Sequence, residues 1–209
     1  MKVLFVGNSH TYFHDMPYIF QQFCRARGID AEVVMLTRGG ESLAGHGKSE
    51  QVRFNLLYGG YDHVVLQEVE SEFPGEAAYI RSLEPLLALA RRAHISAALY
   101  MNFAPEGQPQ RQAMLAQACR AAGDHFQLPV AAVGEAFAAV AREHPALDLY
   151  HTDRRHASPA GSYLIALCLA KTVAGIDPLG LPCRIEFQGE PVVALSEADA
   201  RILQQAAAR

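Results

Sequence analysis

The stretch Met1-Lys2-Val3-Leu4-Phe5-Val6-Gly7-Asn8-Ser9-His10 decides the fold. Its four consecutive apolar residues, 3–6, read as a short strand covered on both faces, as in a parallel sheet flanked by helices. Gly7-Asn8 stops the strand in a turn, and Ser9 follows at its carboxyl end. Open α/β sheets place their ligand sites along that edge.

The same pattern recurs down the chain. Short apolar runs at 32–36, 63–67, 97–101 and 130–133 predict four more strands. Amphipathic segments at about 17–28, 76–93, 108–126, 134–144 and 159–174 predict the helices between and after them. This β-α-β-α rhythm argues for an α/β protein with a five-stranded parallel sheet. Pro17 suits the first turn of a helix, where its missing N–H is no loss. Ser158-Pro159 reads as a cap and a first-turn proline, with Gly175 and Pro178 ending that helix. Ser196-Glu197-Ala198-Asp199 opens a final helix. Residues 45–60 read as a loop with a short helix, and 177–195, with Pro178, Pro182 and Pro191, as an extended tail that could add an edge strand. No repeat or linker divides residues 1–209, which are expected to form one domain.

Composition narrows the function classes. Half of the 209 residues are hydrophobic and 19% are charged, as in a folded globule. The net charge is -4 and no basic stripe occurs, so nucleic acid is not an expected partner. No apolar run approaches the roughly 18 to 20 residues that span a bilayer, so no membrane partner is expected either. The first apolar run is too short for a signal peptide and lacks a cleavage site, which points to a cytoplasmic location. Cys24, Cys119, Cys168 and Cys183 have no metal-ligand or redox spacing. Neither a zinc site nor a structural disulfide is expected. No segment specifies an oligomeric state.

Two places carry chemistry. Ser9 is a weak nucleophile until a base stands within reach; alone it reads equally well as a helix or turn cap. Asp153-Arg154-Arg155-His156 lies just before a predicted helix, and such a corner can aim both side chains together, the carboxylate orienting the imidazole. Alone, Asp153 reads as a loop cap and His156 as one of nine histidines. Taken together, they point to a serine hydrolase.

Gly7-Asn8-Ser9 resembles the first sequence block of the SGNH hydrolases, the GDSL esterase/lipase superfamily, and Asp153-x-x-His156 resembles their last. The resemblance runs from about residue 2 to 175 and includes the order of elements. It implies a three-layer α/β/α, flavodoxin-like sandwich. The implied activity is hydrolysis of short-chain esters, including O-acetyl groups on sugars, by a Ser9-His156-Asp153 triad without metal or organic cofactor. The oxyanion hole of that superfamily takes donors from the serine backbone, a glycine of the second block and an asparagine of the third. The second block here is Arg38-Gly39-Gly40-Glu41-Ser42, and the glycine falls on Gly40, which alone would read as a plain turn residue.

The third block departs from the pattern: the chain reads Val64-Val65-Leu66-Gln67-Glu68-Val69-Glu70-Ser71. Gln67 offers the same carboxamide donor on a longer arm. It is expected to point into the Ser9 pocket near the Gly40 N–H, with Asn102 as the alternative. His10 and His14 read as pocket walls, and His46 as a loop or pocket residue. Asp62 and His63 read as a loop end, and Glu68, Glu70 and Glu72 as a solvated loop. Cys24 has no activating partner in the sequence. The departure at Gln67 motivates an alternative function, a catalytically weak module that binds a small molecule such as a carbohydrate. A nucleotide-binding flavodoxin-like protein fits less well, because no phosphate-cradling glycine run follows the first strand.

Overall fold

The computed structural model describes residues 1–209. Five parallel strands form the central sheet: β1 (Lys2–Gly7), β2 (Glu32–Thr37), β3 (His63–Gln67), β4 (Ser96–Tyr100) and β5 (Val130–Ala131). Their spatial order is β2-β1-β3-β4-β5. Phe5 pairs with Met35 on one side and Val65 on the other, and Val65 pairs in turn with Ala98. The direction of strand addition reverses at β1. The carboxyl ends of β1 and β3 therefore flank the crevice where a flavodoxin-like sheet holds its ligand.

Successive side chains of a strand face opposite sides, which splits the core in two. Val3, Phe5 and Val65 pack with α2 (Met16–Ala26), α7 (Val133–Glu143), α8 (Pro159–Ala174) and α9 (Glu197–Ala208). Leu4, Val6, Val64 and Leu66 pack on the other face with α3 (Leu43–His46), α4 (Glu50–Tyr58), α5 (Glu76–Arg92) and α6 (Arg111–Phe126). Three layers result. Helix α8 is buried over the whole run from Ala160 to Ala170, which explains its apolar character on every side. It fixes the loop that precedes it: the Ser158 hydroxyl accepts from the Gly161 N–H at 3.1 Å and donates to the Asp148 carbonyl at 2.8 Å.

Three segments differ from expectation. The fifth strand is only two residues long, because Val133 already begins α7. Residues 45–60 hold the second half of α3 and all of α4, two helices each capped by a serine, Ser42 and Ser49. The tail does not extend the sheet: β6 (Arg184–Phe187) and β7 (Glu190–Ala194) pair antiparallel with each other. Gln188 and Gly189 between them have φ of 53° and 87°, the two positive values that a tight hairpin turn of matching twist requires.

Candidate active site

Asn8 fastens the end of β1. Its N–H donates to Gln67 Oε1 at 2.9 Å, its Nδ2 donates to the Glu41 carbonyl at 3.1 Å, and its Oδ1 accepts from the His10 N–H at 3.2 Å. That last bond caps α1 (Ser9–Tyr12), a single helical turn. Ser9 is therefore a first-turn residue whose N–H has no partner within the helix. Gly7 has to be glycine here, since a Cβ would lie 2.5 Å from both Gln67 Oε1 and Thr11 Oγ1. After α1 the chain turns sharply through Phe13–Asp15, with His14 and Asp15 both at φ 50°, and enters α2 with Pro17 in its first turn.

The second half of the site is a closed loop. Tyr150 and Ala157 form an antiparallel bridge, and within it the His151 N–H donates to the His156 carbonyl at 2.8 Å. Arg154, at φ 59°, pairs with Glu106 and, at 2.7 Å, with Asp148, so the loop is tied to its surroundings from outside. Asp153 Oδ1 accepts from the backbone N–H groups of Arg155 and His156, both at 3.0 Å. Burial works against the Asp153 carboxylate. The hydrogen bonds from the His156 ring and from these two N–H groups outweigh it, holding the carboxyl well below its ordinary range.

The structure brings Ser9, His156 and Asp153 into one hydrogen-bonded chain. His156 Nδ1 lies 2.5 Å from Asp153 Oδ2, and His156 Nε2 lies 2.7 Å from Ser9 Oγ. A carboxylate only accepts, so Nδ1 carries the proton and Nε2 receives the serine hydroxyl. Two rings pack against the imidazole. Phe13 stacks on it at 4.1 Å and 8°, and His10 at 5.0 Å and 29°. Burial, then the neighbouring His156 and Arg155, lower the His10 pKa to about 3, with Asp153 opposing. His10 is thus neutral at neutral pH, and its Nδ1 is buried without a partner.

Ser9, His10, Asp153 and His156 line a cavity of about 310 Å³ together with Asn8, Gly40, Val69, Glu70, Ser71 and Arg155. Gly40 stands at its rim with φ 68° and makes no hydrogen bond through its N–H. His14 lies beside the loop, its ring 5.8 Å from that of His151, and is not in the cavity wall.

The placement of Gln67 corrects the reading of the third block. Its side chain is fully buried beneath the site and absent from the cavity wall. Its Oε1 accepts from the Asn8 N–H and, at 2.9 Å, from the Thr11 hydroxyl. Its Nε2 donates to Asn102 Oδ1 and to the Glu68 carbonyl. Both amide hydrogens are taken, so none is left for an oxyanion. Asn102 is no substitute: its Nδ2 donates to the Glu68 carbonyl at 2.7 Å, and it too lies outside the cavity wall.

The acidic run is likewise not a solvated loop. Glu68 is buried and accepts from the Leu43 and Val69 N–H groups at 3.0 and 2.8 Å and from the Ser82 hydroxyl at 3.1 Å. Glu70 is 1% exposed. Its Oε1 lies 2.7 Å from Arg111 Nη1, and its Oε2 lies 3.9 Å from Arg155 Nη2. Burial raises the Glu70 pKa, and Arg111, Arg155 and His156 pull it partly back. Only Glu72 of the three is exposed. His46 is a packed residue of α3 whose Nε2 lies 2.8 Å from the Gly7 carbonyl. Cys24, Cys119 and Cys168 are buried, with burial raising their thiols to about 11, 12 and 12, beyond ordinary nucleophilic use.

Sequence reasoning missed Phe13, Glu70, Arg111 and Arg155. One signal was available for two of them. Arg155 lies inside the Asp-x-x-His quartet, and Glu70 follows the strand beside β1 at the sheet's reversal point, so both belong to the crevice edge by position.

The fold is that of the SGNH, or GDSL, hydrolases. No protein-family profile matches the sequence, and no curated protein matches it. Among solved structures, a DUF4886 family protein from Bacteroides uniformis superposes with a TM-score of 0.78 at 17% identity, over 100% of this chain and 93% of that one. An acetyl xylan esterase, AlAXEase, gives 0.69 at 16% identity, over 83% of this chain and 100% of its own. A member of the lipolytic G-D-S-L family from Veillonella parvula gives 0.64 at 12% identity, over 84% and 100%. At such identities the likeness is one of architecture.

Proposed function

We propose that this chain is a serine ester hydrolase acting on short-chain or O-acetyl esters. The observation that carries the reading is the Ser9–His156–Asp153 chain, at 2.7 and 2.5 Å. Ser9 Oγ attacks the acyl carbon while His156 Nε2 takes the hydroxyl proton, and that proton then passes to the departing alcohol. Water, deprotonated by the same nitrogen, releases the acid and restores the serine. Asp153 keeps the imidazole in the required tautomer and stabilises its charged form. The Ser9 and Gly40 N–H groups face the developing oxyanion. The small cavity, with Val69 as its one hydrophobic wall, suits a short acyl group and a polar alcohol rather than a long chain.

A second reading is favoured by the engagement of both Gln67 and Asn102 amides. An oxyanion held by two backbone donors lacks a third, and one such donor is worth on the order of 3 kcal/mol. On that reading the chain is a weakly catalytic binder of small molecules such as carbohydrates. Turnover of p-nitrophenyl acetate separates the two. Hydrolysis by the wild type, abolished in a Ser9→Ala variant with an unchanged circular dichroism spectrum, is the expected result. An alanine variant as active as the wild type overturns the assignment of the nucleophile.

A further inference from the structure

Three charged side chains of the cavity region are not used by the hydrolytic chain. Glu70 is buried, Arg111 is partly buried, and Arg155 is 53% exposed in the cavity wall. Glu70 and Arg111 form a close pair, reinforced by a hydrogen bond of 2.8 Å from Arg111 Nη2 to the Glu70 carbonyl. Arg155 is only loosely held, at 3.9 Å, and its guanidinium donates no hydrogen bond within the chain. Glu70 thus faces two guanidinium groups and is paired closely with only one of them, which leaves the Arg155 donors free in the cavity wall. The Asp153 carboxylate, the other anion of the cavity wall, is already engaged by the ring of His156 and by two backbone N–H groups, and forms no ion pair with the Arg155 side chain.

From this we infer that the cavity binds esters carrying a carboxylate, received by the Arg155 guanidinium beside Ser9. The inference rests on the hydrolase reading for its choice of ester. A guanidinium fork matches a carboxylate in bidentate geometry, and a site whose two guanidinium groups are already balanced by Glu70 and Asp153 suits a monoanion better than a phosphate dianion. Glu70 acts as a positioning residue that draws Arg155 toward the wall. The position of Arg155, one residue before His156, sets its reach: a carboxylate on either the acyl or the alcohol side of a small ester can meet it.

The test compares esters that differ in charge. On the alcohol side these are 4-acetoxybenzoate and its methyl ester; on the acyl side they are phenyl hydrogen glutarate and phenyl butyrate. Once corrected for their rates of alkaline hydrolysis, one anionic ester is expected to exceed its neutral partner in kcat/KM, chiefly through a lower KM. Arg155→Gln should lower that preference at least tenfold, and Arg155→Lys should restore part of it. Which pair responds tells which side of the ester bears the carboxylate. A binding arm uses Ser9→Ala protein and NMR titration with 4-acetoxybenzoate, its methyl ester, glutaramate and butyramide. At least one of the two anions should bind more tightly than its neutral counterpart, and the difference should vanish when Arg155→Gln is added. Equal binding of anion and neutral compound in both pairs, or an Arg155→Gln variant that slows all four esters alike, overturns the inference. An absence of ester turnover alongside anion-selective binding would count against the hydrolase reading only.

Discussion

Gln67 and Asn102 turn their side-chain amides toward each other, Gln67 Nε2 donating to Asn102 Oδ1 at 3.1 Å beneath the Ser9 turn. Through its other end Gln67 accepts from the Asn8 N–H, so the pair ties the ends of β1, β3 and β4 into one polar knot. A fully satisfied buried network of this kind fixes geometry, whereas a half-satisfied one is strongly destabilising.

Gln67→Ala should accordingly act first on stability. It leaves the Asn8 N–H, the Thr11 hydroxyl and Asn102 Oδ1 short of partners, an expected loss of about 3 kcal/mol. Urea denaturation measures it, and a midpoint equal to that of the wild type would show that the network does not hold the turn. Any loss of kcat in this variant is expected to accompany disorder around Asn8.

Asp153→Asn should leave the fold intact and reduce kcat for p-nitrophenyl acetate by about 10³ to 10⁴, with a small change in KM. The asparagine can present its N–H to His156 Nδ1 and so impose the wrong tautomer. Steady-state kinetics decide the matter, and a loss below tenfold would remove Asp153 from the proposed mechanism.

Gly7 and Gly40 should respond to alanine for opposite reasons. At Gly7 the new methyl meets Gln67 and Thr11 at 2.5 Å, so Gly7→Ala should yield little folded protein or melt far lower. At Gly40 the space is open and only the φ of 68° is unfavourable, a strain of about 1 to 2 kcal/mol. Thermal melting of the two variants side by side checks the ordering.

His10 makes stability depend on pH. Its pKa is about 3 in the folded protein against 6.5 for the unfolded chain. Between those values the unfolded state binds the extra proton, so the stabilisation is full above about pH 6.5 and is lost as pH falls toward 3. The slope from one such group approaches about 1.4 kcal/mol per pH unit. His10→Phe, which keeps a ring against His156, should flatten the profile between pH 7 and 5 in urea titrations. A residual slope is expected from His14, whose pKa burial also lowers, while the raised Glu70 works in the opposite direction. An unchanged profile would show that His10 is solvated.

The architecture was legible because strand and helix periods are local properties. Residues 63–67 and 159–174 form the elements their patterns predict. Ser9, Asp153 and His156 were singled out by short motifs, and the geometry sets them in contact. The direction of Gln67 was not legible, because a carboxamide serves a cavity or a core equally well. The choice follows from Thr11 and Asn8 presenting donors to it, a matter of packing. Glu68 and Glu70 looked solvated because their partners are distant in sequence: the Leu43 N–H lies 25 residues back, and the Glu70 carbonyl bonds Arg111 41 residues ahead. The tail failed as an edge strand through one dipeptide, Gln188-Gly189, whose backbone folds it on itself.

Ser9 and its imidazole are 147 positions apart, and the loop bearing His156 is held by a helix that begins only at Pro159. During synthesis on the ribosome, Ser9 therefore emerges 147 residues ahead of the ring that it pairs with. On the proposed mechanism, a chain in which α8 has not yet docked holds a serine without its base, so the capacity to attack an ester depends on packing far from the nucleophile in sequence.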